Sequence, residues 1–282
     1  MRDQKSKKGV RVAVFYLARG ADQDAPAKYR RFRASYCSSP AEVSHDLHII
    51  FKGYPADTEY EKARTEFKGL SFESIHTSDD SFDLGSYYVA ASQISHDYVC
   101  FLNTSSEIQS DAWLLKLVRN LELPEVGIVG ASGSYEAAAA RPGSKSAGFP
   151  NIHLRTNAFM LRRADFLATK PEGALSEKHA VYQLEHGPNS ITRQMHERGL
   201  QSLVVGKDGR GYSPAFWPIS ETFRLGNQHN LLVRDNQTEI YRSASPTLKQ
   251  LLFASAWGKG EVLDELLFVD DTSASWKHKI QA

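Results

Sequence analysis

The sequence has few cysteines and no long apolar run. Two of its 282 residues are cysteines, Cys37 and Cys100, which excludes a disulfide scaffold, and we expect both to be reduced thiols. No stretch reaches the length of a membrane span, and residues 1–12 carry charge without the apolar segment of a signal peptide. These absences predict a cytoplasmic protein.

The sequence also lacks an excess of charge of either sign. Its 34 Lys and Arg residues nearly balance 33 Asp and Glu, and the net charge of +1 creates no whole-molecule field that would attract nucleic acid. Only a local patch could bind an anionic lipid or phosphate. Residues 28–33 (KYRRFR) are one candidate, and the alternative is the solvated face of an amphipathic helix. We expect no nucleic-acid partner, and peripheral association with the inner face of the plasma membrane stays open.

Short apolar segments of β type alternate with segments of helical periodicity from residue 10 onward. This alternation is typical of a three-layer α/β/α sandwich around a mixed, mostly parallel sheet. The expected strands are 10–17, 45–51, 71–76, 97–103, 126–130, 152–162 and 202–206. The expected helices are 25–36, 57–67, 84–94, 111–121, 174–199 with a break at Gly187-Pro188, and a carboxy-terminal helix at 247–257.

One Gly-rich polar segment, residues 132–149, interrupts this pattern. A loop of this length is either a functional lid or a disordered surface segment. It suggests dividing one domain into two functional halves, 1–150 and 151–282. We expect the tail beyond residue 270 to be frayed.

Polar residues follow several of the predicted strands. Ligands of open α/β sheets collect at the carboxyl ends of strands, so these positions are the first candidates for a site. Arg19 follows the first strand, Asp79 the third, and Asn103 the fourth.

At these positions the sequence resembles a known family. Residues 83–118 (DLGSYYVAASQISHDYVCFLNTSSEIQSDAWLLKLV) resemble the central segment of GT-A glycosyltransferases of the family-2-like and rhamnan-synthesis type. In that family an Asp or Asn and a Gly open a helix over the sugar nucleotide, and Asp83 and Gly85 match them. Residues 126–136, 149–167 and 182–206 resemble the landmarks that follow, so the resemblance runs from about residue 10 to residue 206.

The resemblance implies a GT-A-like (Rossmann-like) fold whose first half binds a nucleotide-sugar donor. The second half would then bind a glycan or lipid-linked glycan acceptor and carry the catalytic residues. The implied activity is sugar transfer in the synthesis of bacterial surface polysaccharide, such as lipopolysaccharide of the cell envelope.

The segment YQLEHGPNSITRQ resembles the family's catalytic acidic helix. By that resemblance Glu185 is the general base that takes the proton of the acceptor hydroxyl, which implies inversion. His186 stands where the family has a second acidic residue, so the two roles could be exchanged, and Arg193 follows. The alternative is that Glu185 only caps a helix or pairs with Arg193.

The sequence departs from the family at the metal-binding turn. The family's acidic D-x-D turn reads Asn103-Thr104-Ser105 here, and neutral side chains are poor ligands for Mg²⁺ or Mn²⁺. Either another side chain supplies the charge, with Glu107 and His229 as candidates, or no metal binds. In the second case Arg19 and Arg155 would stabilise the diphosphate.

The last third of the chain mixes aromatic and amide side chains, as sugar-binding sites do. Trp217 and Asp235 are the candidates for acceptor binding, and the alternative is ordinary core and turn residues.

Two other functions compete with sugar transfer. The first is an inactive GT-A-like domain that binds glycan or acts as a scaffold. The second, a nucleotidyltransferase, is disfavoured because the loop after the first strand, residues 18–23, has too few glycines to bind a triphosphate.

Overall fold

The computed structural model describes residues 9–54, 57–137, 148–172, 175 and 178–258. Most of the predicted loop 132–149 lies outside these residues, as does the tail beyond residue 270. In the part of the chain that is described, no helix is both long and apolar enough to cross a membrane.

Twelve strands, nine α-helices and one 3-10 helix, Pro214–Ile219, make up the described secondary structure. The strands are β1 Val12–Arg19, β2 His45–Lys52, β3 Glu73–Thr77, β4 Tyr98–Leu102, β5 Glu107–Ile108, β6 Val126–Gly130, β7 Gly133–Ser134, β8 His153–Leu154, β9 Ala158–Arg162, β10 Gln201–Val205, β11 Gly211–Tyr212 and β12 Val233–Arg234. The helices are α1 Ala25–Ser38, α2 Asp57–Thr65, α3 Asp83–Ser92, α4 Trp113–Leu121, α5 Arg163–Ala168, α6 Lys178–Glu185, α7 Ile191–Glu197, α8 Asn236–Ser243 and α9 Pro246–Trp257.

The main sheet has eight strands in the order β11-β10-β6-β9-β4-β1-β2-β3. Strand β1 pairs in parallel with β2 and β4, and β2 with β3, whereas β9 runs antiparallel between β4 and β6. The predicted α/β class with a mixed, mostly parallel sheet is therefore confirmed, and α8 and α9 form its carboxy-terminal helical part.

Strand β1 shows why the sheet is sandwiched between helices. All of its residues from Val12 to Ala18 are buried, so apolar side chains point to both faces. Val14 and Tyr16 pack with α1 and α4 on one face, and Phe15 and Leu17 with α3 and α7 on the other. A strand that is apolar on both sides needs a helical layer on each, which fixes the three-layer arrangement.

The predicted strand 152–162 is wrong as a single element. It forms β8, which pairs with β7 in a small separate sheet, and β9, which belongs to the main sheet. The polar residues Arg155, Thr156 and Asn157 separate the two. Their main chain passes from one sheet to the other, with the Arg155 N–H donating to the Ser132 carbonyl oxygen at 3.0 Å and the Asn157 carbonyl oxygen accepting from the Asn103 N–H at 2.9 Å.

Candidate functional site

The antiparallel direction of β9 determines where the candidate site forms. Ala158, the first residue of β9, pairs with Leu102, the last residue of β4. The residues just before β9 therefore lie at the carboxyl edge of the parallel strands, and the Asn103 N–H donates to the carbonyl oxygen of Asn157 at 2.9 Å. At this edge a cavity of about 400 Å³ opens; its polar lining includes Asp83, Asn103, Arg155, Glu185, His186 and Asp235.

Glu185, the last residue of α6, points its carboxylate into this cavity. The Thr156 hydroxyl donates a hydrogen bond of 2.7 Å to its Oε1 atom. Burial is the main cause that raises the pKa of Glu185, and the charge of Asp83 adds to it, while the Thr156 hydrogen bond and Arg155 act in the opposite direction. A half-buried carboxylate of raised basicity is suited to accept a proton.

Two stacked histidines lie beside Glu185. The rings of His153 and His186 are 5.3 Å apart, and His186 Nε2 lies 3.9 Å from Glu185 Oε2. The His153 Nδ1 atom donates to the carbonyl oxygen of Asn151 at 2.8 Å, and burial lowers the pKa of His153 to about 3. Burial also lowers the pKa of His186. Both rings are therefore neutral at pH 7 and add no positive charge to the cavity.

Asp83 is the second carboxylate of the cavity and the first residue of α3. Solvent reaches it through the cavity mouth, yet protein encloses it on most sides, and this burial raises its pKa. The buried Lys52 lies 3.7 Å from Asp83 and 3.3 Å from Asp79. Arg19 donates to both carboxylate oxygens of Asp79 at 3.0 Å, which lowers the pKa of Asp79. Three of the predicted donor residues, Arg19, Asp79 and Asp83, are thus joined through Lys52 in one ionic network beside the cavity.

Arg155 also lines the cavity and is held there by its neighbours. Its Nη2 donates to the fully buried Asp235 carboxylate at 2.7 Å, Nη1 donates to Ser132, and the guanidinium lies 4.4 Å from the centre of the Phe223 ring. The same Asp235 carboxylate caps α8 by accepting from the Thr238 N–H at 2.9 Å. Asp235 therefore positions an arginine and starts a helix with one side chain.

The turn after β4 does not fit a divalent cation. The Oδ1 atom of Asn103 already accepts from the Ser105 N–H at 3.1 Å and from the Ser106 hydroxyl at 3.0 Å. Glu107, two residues after Ser105, lies outside the cavity between Arg31 at 2.9 Å and Arg234 at 3.6 Å. Within the described ranges no group of three or more His, Cys, Asp or Glu side chains could hold a metal ion.

Two buried polar atoms at the cavity have no hydrogen-bond partner among the described residues. They are the Nδ2 of Asn157, which lines the cavity, and the hydroxyl of Tyr87. Burial is the main cause that raises the pKa of Tyr87, and the charges of Asp83 and Glu185 add to it, so the phenol lies near both carboxylates. A buried donor without an acceptor costs about 1–3 kcal/mol.

Not every predicted residue contributes to the cavity. Trp217 is fully buried, and its indole N–H donates to the Tyr212 carbonyl oxygen at 2.8 Å, so its ring has no free face for a sugar. It packs so closely on Gly133 that a Cβ there would lie 2.5 Å from the ring. The prediction that Trp217 contacts the acceptor is therefore corrected: Trp217 is a core residue.

Three further predicted residues lie away from the cavity lining or pack against the protein itself. Arg193 lies on α7 outside the lining, and His229 is exposed on a turn beside Asn227. Gly85 lets α3 approach its own preceding turn, because a Cβ there would lie 2.5 Å from the Ser81 Cβ.

Sequence reasoning missed Lys52, Thr156 and His153. Lys52 ends β2 at the carboxyl edge, so the strand-end argument applied to Arg19 could have found it. No sequence signal marks Thr156 or His153, because their roles depend on the reversal of the chain before β9.

No family model and no curated protein matches the chain. It is similar to the solved structure of mouse xyloside xylosyltransferase 1, at 15% identity over 67% of this chain and 82% of that one, with a TM-score of 0.41. It is also similar to a putative nucleotide-diphospho-sugar transferase from Desulfovibrio desulfuricans G20, at 14% identity, 68% and 78% coverage, and a TM-score of 0.43.

A third similar structure is 4-diphosphocytidyl-2C-methyl-D-erythritol synthase from Anaerococcus prevotii, at 8% identity, 68% and 87% coverage, and a TM-score of 0.46. These likenesses concern the fold.

Proposed function

We propose that the protein is a glycosyltransferase that moves a sugar from a nucleotide-diphosphate sugar to a glycan or lipid-linked glycan acceptor. The observation that carries this proposal is the Glu185 carboxylate, which faces a cavity of about 400 Å³ with a raised pKa and a hydrogen bond from Thr156. The resemblance of residues 182–206 to the family's acidic helix supports the same role.

In the proposed reaction Glu185 takes the proton from the acceptor hydroxyl. The hydroxyl oxygen forms a bond to the anomeric carbon of the donor sugar, and the bond from that carbon to the diphosphate breaks. Attack on the face opposite the leaving group inverts the configuration. General-base catalysis of this kind contributes about 10²–10⁴-fold to the rate.

The leaving diphosphate needs positive charge nearby. Arg155 lies in the cavity wall, and Lys52 and Arg19 lie in the network next to Asp83. Because the turn at Asn103 does not fit a divalent cation, we assign charge stabilisation to these side chains and to main-chain N–H groups.

The acceptor class and the setting belong to the same proposal. The resemblance to enzymes of bacterial surface polysaccharide synthesis supports a glycan acceptor there, with peripheral membrane association on the cytoplasmic side.

An inactive glycan-binding or scaffold domain is the second candidate. The neutral turn at Asn103 favours it, because that turn lacks the family's acidic pair. The raised pKa of Glu185 favours an active site, since a merely structural carboxylate gains nothing from burial near Asp83.

A panel of nucleotide sugars, screened by thermal shift and by donor hydrolysis with EDTA and with Mn²⁺, tests the proposal. We expect one donor class to stabilise the wild type and to be hydrolysed, and Glu185→Gln to bind the donor without hydrolysing it. The matched control is Glu197→Gln, an exposed glutamate on α7. Stabilisation by no donor under either condition would refute the transferase.

A further inference from the structure

A second cavity of about 490 Å³ adjoins the first on the far side of Asp235. Helix α1, the turn before β5, strand β12 and helix α8 form its walls. Asp235 and Asn236 line both cavities, so the two spaces are neighbours across one main-chain segment. None of the residues that carry the proposed chemistry, Glu185 included, lines the second cavity.

The second cavity is rich in cationic side chains. Four of its lining residues are Lys28, Arg31, Arg234 and Arg242. Its three carboxylates are Glu107, Asp235 and Glu239, and Asp235 is already paired with Arg155 of the first cavity.

Carboxylates hold these cations in place: Lys28 lies 2.8 Å from Asp22, whereas Arg31 and Arg234 have one carboxylate between them. Glu107 is shared by Arg31 at 2.9 Å and Arg234 at 3.6 Å. Arg242 donates to both oxygens of Glu239 at 2.8 and 2.6 Å. The remaining N–H groups of Arg31 and Arg234 have no hydrogen-bond partner among the described residues and are available to a ligand.

The electrostatic consequences extend beyond the lining. Arg242, followed by Arg234 and Arg31, lowers the pKa of Glu239. Burial, with the nearby charges of Arg234 and Lys116, lowers the pKa of Lys207. The protein therefore concentrates positive charge around Arg234, where a solvated surface would spread it, and a bound anion would relieve that repulsion.

We propose that the second cavity binds the phosphate-bearing end of the acceptor, while the sugar hydroxyl of the same acceptor reaches Glu185 across the Asp235–Asn236 segment. This deepens the proposed function and rests on it for the identity of the acceptor. A guanidinium group recognises phosphate through two parallel hydrogen bonds. The Arg31 and Arg234 side chains meet at the Glu107 carboxylate, and a bound phosphate would take the place of that carboxylate. Glu107 holds both side chains there until the anion arrives.

Calorimetric titration of the full chain with inorganic pyrophosphate tests the site without any sugar transfer. We expect Arg31→Gln and Arg234→Gln each to weaken binding about tenfold, the loss of one charge-assisted contact. Arg30→Gln is the matched control, because Arg30 is the preceding residue of α1, pairs with Glu66 and does not line the cavity. Glu107→Gln should tighten binding, since it frees both arginines.

A second arm separates the acceptor phosphate from the diphosphate of the donor. Farnesyl pyrophosphate is titrated beside whichever of UDP, GDP or dTDP stabilises the wild type. We expect Arg31→Gln and Arg234→Gln to weaken the binding of farnesyl pyrophosphate and to leave the affinity for the nucleotide unchanged. Parallel weakening of the nucleotide, or pyrophosphate affinities that none of the four variants alters, overturns the proposal.

The two proposals fail separately. If no nucleotide or nucleotide sugar binds but pyrophosphate affinity still depends on Arg31, Arg234 and Glu107, the proposed transferase activity is refuted and the proposed anion site is supported. If donor hydrolysis depends on Glu185 while pyrophosphate affinity is unaffected by these variants, the transferase stands and the second site is refuted.

Discussion

The two cavities share a wall, but they shift the pKa values of their carboxylates in opposite directions. In the first, burial outweighs the effect of the nearby cations on Asp83 and Glu185, and the pKa values of both are raised. In the second, carboxylates are surrounded by arginines, and the pKa of Glu239 is lowered. The first environment favours proton transfer and the second favours anion binding, although both use the same residue types.

Asp235 lines both cavities, but its carboxylate pairs with Arg155 of the first. Its side chain is fully buried, whereas Arg242 and Glu239 of the second cavity are exposed. Removing one partner of a buried ion pair strongly destabilises a protein, whereas removing one partner of an exposed pair hardly changes its stability. The Asp235–Arg155 pair therefore stabilises the fold, whereas Arg242 and Glu239 contribute little to stability and can serve ligand binding.

The largest effect should come from Glu185→Gln. Loss of the base is expected to reduce sugar transfer about 10²–10⁴-fold, measured as kcat with the donor that the wild type hydrolyses. Because the folded state raises the pKa of Glu185, the ionised form destabilises the fold at pH 7, and the variant should melt at the same or a higher temperature. A variant that is inactive because it is unfolded would contradict this account.

Asp235→Ala should have the next largest effect, on stability. It leaves Arg155 unpaired and removes the cap of α8, at a cost of about 3 kcal/mol in the free energy of unfolding. Asp235→Asn separates the two roles, because asparagine still caps the helix but cannot neutralise the guanidinium. Urea denaturation measures the stability of both variants. A midpoint of Asp235→Ala equal to that of the wild type would refute the stabilising role of Asp235.

Thr156→Val should have a smaller effect, visible in the pH profile. The Thr156 hydrogen bond lowers the pKa of Glu185, so its loss should raise that pKa further. Activity requires the ionised base, so it falls as pH drops through the Glu185 pKa, and in the variant this acid limb should move to higher pH. The measurement is kcat/KM against pH, and Thr156→Ser should restore the wild-type limb.

Arg242→Ala should have the smallest effect on stability. The Arg242–Glu239 pair spans one turn of α8 on the surface, and such pairs contribute little. We expect no resolvable change in the thermal melt of the unliganded protein. A large destabilisation would show that the second cavity has a structural role in the fold.

The architecture could be predicted from sequence where it depends on local periodicity. Strands β1, β2, β4 and β6 lie within about two residues of the predicted segments, because apolar strands between helical segments have a distinct pattern. The reversal of β9 could not be predicted, since an antiparallel strand buried between two others is as apolar as a parallel one.

The same limit applies to the candidate site. Motifs and strand ends in the sequence point to Glu185, Asp83 and Arg155, and the structure brings all three to one cavity. The meeting of Arg31 and Arg234 at Glu107 depends on the short ladder between β5 and β12, whose strands lie more than a hundred residues apart. Pairing at that distance leaves no local pattern, and the burial of Trp217 likewise depends on packing against Gly133.

The position of β9 also has a consequence for the order in which the chain folds. Strands β4 and β6 are synthesised before β9, and each keeps an unpaired edge on the side that β9 will occupy. Until residue 162 has left the ribosome, β4 therefore has one open apolar edge, and β6 has two because β10 is also still missing; these edges can pair with other chains. Truncations that end before β9 should aggregate during synthesis, and the cavity is completed only when Asp235 has been synthesised and pairs with Arg155.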